Sequence, residues 1–493
     1  MFQFANKNTQ ASTLTHLRGA HTLQAVTQVK TLKHVENVQK NIFELFRAHK
    51  KINDIVHNTQ KEIYQHLSKS DLETKFRVSQ VIDDNQLYSS IITLLNGDFV
   101  IAWASNVDDG THAICAQMYN ADGSNKGEPI QVNAFTISDY QWHNPSIAAL
   151  MDGGFVVSWS NKGPNYSTDY SVYVQRYNAT GSPIGTQTQV NTHTAMDQDY
   201  TSIAALADGG FVVSWTSDAQ DGSGAGIAAQ RYDVNGNKNG TEIPVNTETN
   251  NHQFESSVAA LADGGFVVIW ANFQNDFTGG IKGQQFNADG SKRNAEFQIN
   301  DYSANSTFAP FSPRIKSLPE GGFVACWYNM GFDSAGYGHA YGIDAQIYTS
   351  GGSKRGPVLQ ESTSAWDPSI SVLSDGGFVI GWSSDRGLMG QMFQVDGSKK
   401  GSMFQISTSG SLPSITGANN GGIVAVWSNR DSSSNKIYGQ RVDANGKKVV
   451  FCLPGACLAI TPTPRATPHP TFLPTPNPTY VDSTEYEVNT YFS

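Results

Sequence analysis

The chain has few of the features from which function is usually read. Only four cysteines occur in 493 residues, too few for a disulfide scaffold. Charged residues make up 15% of the sequence, and acids outnumber bases by 43 to 33. The resulting net charge of −10 speaks against a nucleic-acid binder, which needs a basic surface to neutralise phosphates. No apolar run approaches the ~18–20 residues of a membrane span. The N-terminus lacks the uninterrupted apolar core of a secretory signal. The motifs H-E-x-x-H, G-x-S-x-G and a phosphate-binding glycine loop are all missing, and the histidines outside the N-terminal region share no register. The expectation that follows is a protein that is not an enzyme, with a propeller hydrolase as the last alternative.

What is abundant is glycine, 46 residues, with 11% aromatics, a balance that suits an all-β chain full of tight turns. One phrase recurs: "ALMDGGFVVSW" at 149, "ALADGGFVVSW" at 205, "ALADGGFVVIW" at 260, "SLPEGGFVACW" at 317 and "VLSDGGFVIGW" at 372. Fainter copies, "LLNGDFVIAW" and "GANNGGIVAVW", lie at 94 and 417. The tryptophans that close these phrases (Trp103, Trp159, Trp215, Trp270, Trp327, Trp382 and Trp427) are spaced by 56, 56, 55, 57, 55 and 45 residues. Phe-x-Val-x-Trp alternates with period two, and the residues between are apolar or small, as in a strand buried on both faces. Four strand candidates recur per unit, for example "TSIAAL", "GFVVSW", "GIAAQRY" and "TEIPVN". Four strands in each of seven units predict a seven-bladed β-propeller over residues 76–451.

A glutamine marks the third strand of every unit: Gln117, Gln175, Gln230, Gln284, Gln346, Gln391 and Gln440. A residue that repeats in all units serves the scaffold, so these amides are expected to tie strands or blades together rather than line a site. Glycine follows each of them by six residues, at Gly123, Gly181, Gly236, Gly290, Gly352, Gly397 and Gly446, marking a hairpin turn. Two segments compete to close the ring: "KFRVSQVI" from 75 and "KKVVFCLP" from 447. Cys115 and Cys326 fall inside expected strands as buried thiols, whereas Cys452 and Cys457 are close enough to bridge in an oxidising compartment.

Residues 1–75 differ in texture. Val35, Val38, Ile42, Leu45, Ile52, Val56 and Ile63 follow a 3–4 spacing that predicts an α-helical arm. Through Ser70 the segment holds ten Lys/Arg against four Asp/Glu, so the arm is basic. It is expected to dock on the propeller, to self-associate or to meet a partner or membrane surface. Residues 452–493 contain "TPTPRATPHPTFLPTPNPT", the composition of an extended, disordered tail.

Function is expected on the propeller face that carries the 2–3 loops and the blade-to-blade connections. The Trp-to-Gln distance across the 2–3 loops varies from 9 to 19 residues, while the opposite face consists of invariant glycine turns. The connections contribute Trp142, Tyr200, Phe254, Phe308 and Trp366 as candidate ligand-binding residues. Aromatic faces beside amides and carboxylates suit sugar rings, and they equally suit a protein partner or packing among the loops. Asp109, Asp221, Asp276 and Asp333 each stand six residues after their tryptophan. They are candidate calcium ligands, although no calcium-loop spacing is present and an aspartate that opens a turn needs no metal. No other cofactor is expected.

The unit "LADGGFVVSWTSDAQDGSGAGIAAQRYDVNGNKNGTEIPVNT" resembles a repeat of large bacterial exported proteins, adhesin-like and hemolysin-type calcium-binding proteins among them. The likeness covers about 375 residues. It implies an extracellular or cell-surface setting and a binding role, with a glycan or a protein surface as ligand. It carries over no catalytic residue.

Overall fold

The computed structural model of the chain describes residues 75–78, 85–106, 112–134, 144–162, 169–250, 252–273, 279–301, 308–332, 338–362, 364–431 and 434–449. They form seven antiparallel sheets, one per sequence unit, with the strands in sequential order except that the seventh sheet also takes in Lys75–Arg77. In blade 3, Gln198–Ala205, Phe211–Asp218, Ala225–Tyr232 and Ile243–Pro244 lie side by side in that order. The first strands of successive blades touch in a closed ring, including blade 1 against blade 7, so they surround the propeller axis. The protein is a seven-bladed β-propeller.

The repeated phrase builds the core between blades. Every residue from Phe211 to Ser217 is buried, because both faces of the second strand are covered by neighbouring blades. Phe211, Val213 and Trp215 pack on Val156, Val172 and Val190 of blade 2. Phe211 also stacks on Tyr232 of its own blade, with ring centroids 4.5 Å apart. All seven marker tryptophans are buried. Burying an aromatic side chain of this kind contributes roughly 1.5–3 kcal/mol, and the repeat supplies it in every blade.

The turn before this strand depends on both glycines. Gly209 sits at φ +85°, and the Asp208 carboxylate accepts the Gly210 N–H at 2.9 Å. A Cβ on Gly210 would be driven into the Tyr232 carbonyl oxygen.

The glutamines act as staples. Gln230 Nε2 donates to the Arg231 carbonyl at 2.9 Å and to the Gly240 carbonyl, on the outer-strand side, at 3.2 Å. The other six make the same pair of bonds, to the next residue and to one nine or ten further on. Gly127, Gly185, Gly240, Gly356 and Gly401, with Asn294 in blade 4, take positive φ at that distant partner.

Both closing segments are used at once. Lys75–Arg77 pairs with the third strand of blade 7, Ser434–Val442, at Gln440 to Tyr438. Lys448–Val449 pairs with the same strand at Arg441 and Val442. The two ends of the propeller therefore share one outer-strand position, and Val78 is held beyond it by N–H donation to Ile437 O at 2.9 Å.

The propeller begins at Lys75, inside the segment assigned to the arm, and no helix occurs among the described residues. The rest of the expected α-helical arm, the Pro/Thr-rich tail and Cys452 and Cys457 lie outside the described residues. Cys326 is buried and Cys115 half-buried, both within strands.

Candidate functional site at the channel mouth

Among the described residues, six of the seven inner strands break register one turn of pleat after they begin. The bulges fall between Leu87 and Ser90, Asp199 and Ser202, Phe254 and Ser257, Phe311 and Arg314, Trp366 and Ser369, and Ser411 and Ser414. The first bulged residue is never glycine, yet it lies in the left-handed region: Tyr88 (φ 56°), Tyr200 (49°), Glu255 (55°), Ser312 (46°), Asp367 (50°) and Leu412 (55°). Such a conformation costs a side-chain-bearing residue roughly 1–2 kcal/mol. A bulge re-aims the side chain it carries, and strained backbone of this kind concentrates at functional sites. The bulges sit at the strand ends opposite the Asp-Gly-Gly turns, on the face of the 2–3 loops.

Electrostatics place these side chains together across the axis. Burial, then the Asp367 charge, raises the Tyr88 hydroxyl above the usual phenol range. Tyr200 is pushed up to about 12, first by the protein around it and then by Asp199, Glu255 and Tyr88. Tyr328, on the second strand of blade 5, is raised by burial and by Glu255 and Asp367. Blades 1, 3, 4, 5 and 6 thus contribute to one mouth. Asp199 is the group most altered in character: burial, followed by the charges of Asp218, Asp197 and Glu255, lifts its carboxyl to about 7. Asp367 is also raised by burial, partly offset by Arg314 and by a hydrogen bond from the Leu412 backbone. Glu255 is held from the next blade, its Oε2 accepting the Ser312 N–H at 2.8 Å and the Ser312 hydroxyl at 3.1 Å. The mouth therefore combines a carboxyl that keeps its proton near neutrality, an oriented carboxylate and phenol donors. That set can hydrogen-bond a polyhydroxyl ligand and move a proton on it.

The residues expected from sequence distribute unevenly. Tyr200 is a mouth residue and is 47% exposed. Phe254 and Trp366 directly precede the bulged Glu255 and Asp367. Phe254 packs on Phe273 at 4.9 Å and belongs to an aromatic run through Phe311 to Tyr328. Trp366 is half-buried. Phe308 opens the inner strand of blade 5, but its side chain, like Trp142, Asp109, Asp276 and Asp333, lies outside the described residues. Asp221 braces a loop: its carboxylate accepts the Ser223 N–H at 3.1 Å and the Asn246 amide at 3.0 Å. Among the described residues, no group of three or more His, Cys, Asp or Glu is placed to hold a metal ion.

Sequence reasoning missed Tyr88, Asp199, Glu255, Ser312, Tyr328 and Asp367. The signal was a column. Two residues upstream of the near-constant Ser-Ile of the inner strand stands the position whose chemistry changes most from blade to blade.

No protein-family model matches the sequence, and no curated protein matches it. Solved structures do. An ulvan lyase of a polysaccharide lyase family is 10% identical, with a TM-score of 0.47 over 77% of this chain and 98% of that one. An α-L-arabinanase of Penicillium chrysogenum, complexed with arabinobiose, is 15% identical, with a TM-score of 0.42 over 60% and 92%. A microbial sialidase is 11% identical, with a TM-score of 0.44 over 73% and 66%. The expectation that the chain is not an enzyme is withdrawn, since several solved structures that share its fold are carbohydrate-active enzymes and the fold gives that expectation no ground. At such identities the likeness is one of fold alone, and no residue role is transferred.

Proposed function

We propose that the protein binds a saccharide at the loop-face mouth of its channel and acts on it by acid–base chemistry. The observation that carries this reading is Asp199, whose carboxyl retains its proton up to about pH 7 beside Glu255. Glycoside cleavage needs one carboxylic acid to protonate the leaving oxygen and one carboxylate to act as base or nucleophile. Asp199 fits the first role and Glu255, steadied by Ser312, the second. Tyr88 and Tyr200 remain protonated donors for sugar hydroxyls and offer ring faces for sugar C–H surfaces.

The test is reducing-sugar release by the full chain from an oligosaccharide panel, with Asp199→Asn and Glu255→Gln as variants. Each is expected to fold and to lose roughly 100-fold or more in turnover, the usual scale of a lost acid or base. Turnover unchanged in both variants, or no member of the panel bound, overturns the reading.

A further inference from the structure

The ring of inner strands breaks its own pattern in one blade. Two residues beyond the bulge, five blades carry serine (Ser90, Ser202, Ser257, Ser369 and Ser414), and Ser146 stands at the equivalent place in blade 2. Five of these hydroxyls accept a backbone N–H from the inner strand of an adjacent blade, as Ser146 does from Ile203 at 3.3 Å and Ser369 from Ile415 at 3.0 Å. Blade 5 has Arg314 there, and a guanidinium has no acceptor for such a bond. Two residues further along, the other blades carry Ile92, Ala148, Ala204, Ala259, Ser371 and Thr416, all uncharged. Blade 5 has Lys316. Both departures are basic, and both lie on the same face of one strand.

Lys316 is exposed one residue before the end of its strand, and desolvation by the protein around it lowers its pKa. Among the described residues its ammonium has no hydrogen bond and no ion pair. A partly desolvated, unpaired cation is of no help to folding. Six blades show that the position folds without it. At roughly 3.3 Å per residue, Arg314 and Lys316 lie about 7 and 13 Å further along the channel than Ser312.

The geometry points to an anion-binding subsite inside the channel, in which Lys316 and Arg314 take the carboxylate or sulfate of an acidic saccharide. The anionic group would reach past the mouth to a lysine point charge and an arginine fork, which suit oxyanions. The subsite deepens the saccharide reading by naming the substrate class, and it rests on that reading for the rest of the ligand.

Calorimetric titration of the full chain tests it with four probes: a neutral galactose oligosaccharide, its galacturonate counterpart, its sulfated counterpart and inorganic sulfate. The two charged oligosaccharides are expected to bind more tightly than the neutral one, and whichever binds better identifies the anion. Lys316→Ala restores the residue that Ala148, Ala204 and Ala259 provide elsewhere, so it should fold with an unchanged or higher Tm. It is expected to weaken the charged probes roughly tenfold or more, the scale of a lost charge-assisted hydrogen bond, and to spare the neutral one. Lys316→Arg should retain most of the affinity. Lys316-dependent binding of sulfate with no binding of any oligosaccharide upholds the anion site and sinks the saccharide reading. Equal binding of charged and neutral probes, indifference of the charged probes to Lys316→Ala, or silence of sulfate and both charged oligosaccharides overturns the subsite.

Discussion

Ser312 gives both of its hydrogen bonds to one oxygen of Glu255, from the backbone N–H at 2.8 Å and from the hydroxyl at 3.1 Å. The two residues hold the same place in adjacent blades, and each is the left-handed residue of its bulge. The strain of one bulge thus presents a donor pair to the carboxylate aimed by the next. Ser312→Ala deletes the hydroxyl and leaves the N–H, so it is expected to cost about 1 kcal/mol. Glu255→Ala should cost more, because it strands both donors. In a double-mutant cycle followed by urea unfolding, the pair is expected to couple by roughly 1 kcal/mol. Additive losses would show that the hydroxyl bond contributes nothing.

Asp199 should make stability fall with rising pH. Its carboxyl titrates at about 7 in the fold against 3.8 for the unperturbed group. Between those values the folded protein holds a proton that the unfolded chain has released. Stability from this group is therefore fully present below 3.8, is lost as pH rises through the interval, and levels off above about 7. Asp199→Asn removes the titration and keeps the shape. The variant is expected to be more stable than the parent at pH 8, by up to about 4 kcal/mol for the full shift, and no more stable at pH 4. Thermal melts across that range would measure it, and parallel pH profiles for the two proteins would refute the assignment.

The architecture was readable because it repeats. A period near 56 residues, a Phe-x-Val-x-Trp strand and one glutamine per unit announce themselves against any background. The glutamine illustrates why the scaffold reading was the right one: an amide that joins two carbonyls in every blade leaves the same mark seven times. The mouth residues leave no such mark. Glu255, Ser312, Leu412 and Tyr88 share a position but no chemistry, and a bulge with left-handed Tyr, Glu or Asp has no glycine to betray it. Tyr200 was found because it is aromatic and exposed. Asp199, its neighbour, acquires its proton only from burial and three nearby carboxylates, which folding brings together.

Gln230 offers a direct test of the staples. Gln230→Leu keeps the bulk but leaves the Arg231 and Gly240 carbonyls without the amide donor. The loss is expected to be about 1–3 kcal/mol, with the outer strand Ile243–Pro244 loosening first. Hydrogen exchange should show faster opening of the Val245 amide, which donates to Ile227 across that edge at 2.8 Å, while the Trp215 strand stays protected. Uniform loosening of the whole blade would mean that the amide supports the core rather than the edge.

The closure of the ring should hinge on Phe76. Three third strands carry a glycine under an outer-strand phenylalanine: Gly283 under Phe297, Gly390 under Phe404 and Gly439 under Phe76. In the first two, the phenylalanine belongs to the same blade's hairpin, so losing its ring leaves the outer strand attached by its turn. Phe76 comes from the start of the propeller, and no hairpin turn ties its strand to the strand it covers. Its ring also meets Tyr119 edge-on at 5.6 Å, and the Tyr119 hydroxyl donates to the Val78 carbonyl at 3.0 Å, joining blade 7 to blade 1. Phe76→Ala and Phe404→Ala remove the same half-buried ring, and each is expected to cost roughly 2–4 kcal/mol. Only Phe76→Ala should open the ring, seen as accelerated exchange at Val78 together with new protease sensitivity near residue 78. Matching exchange patterns in the two variants would show that the Lys448–Val449 pairing alone keeps the propeller closed.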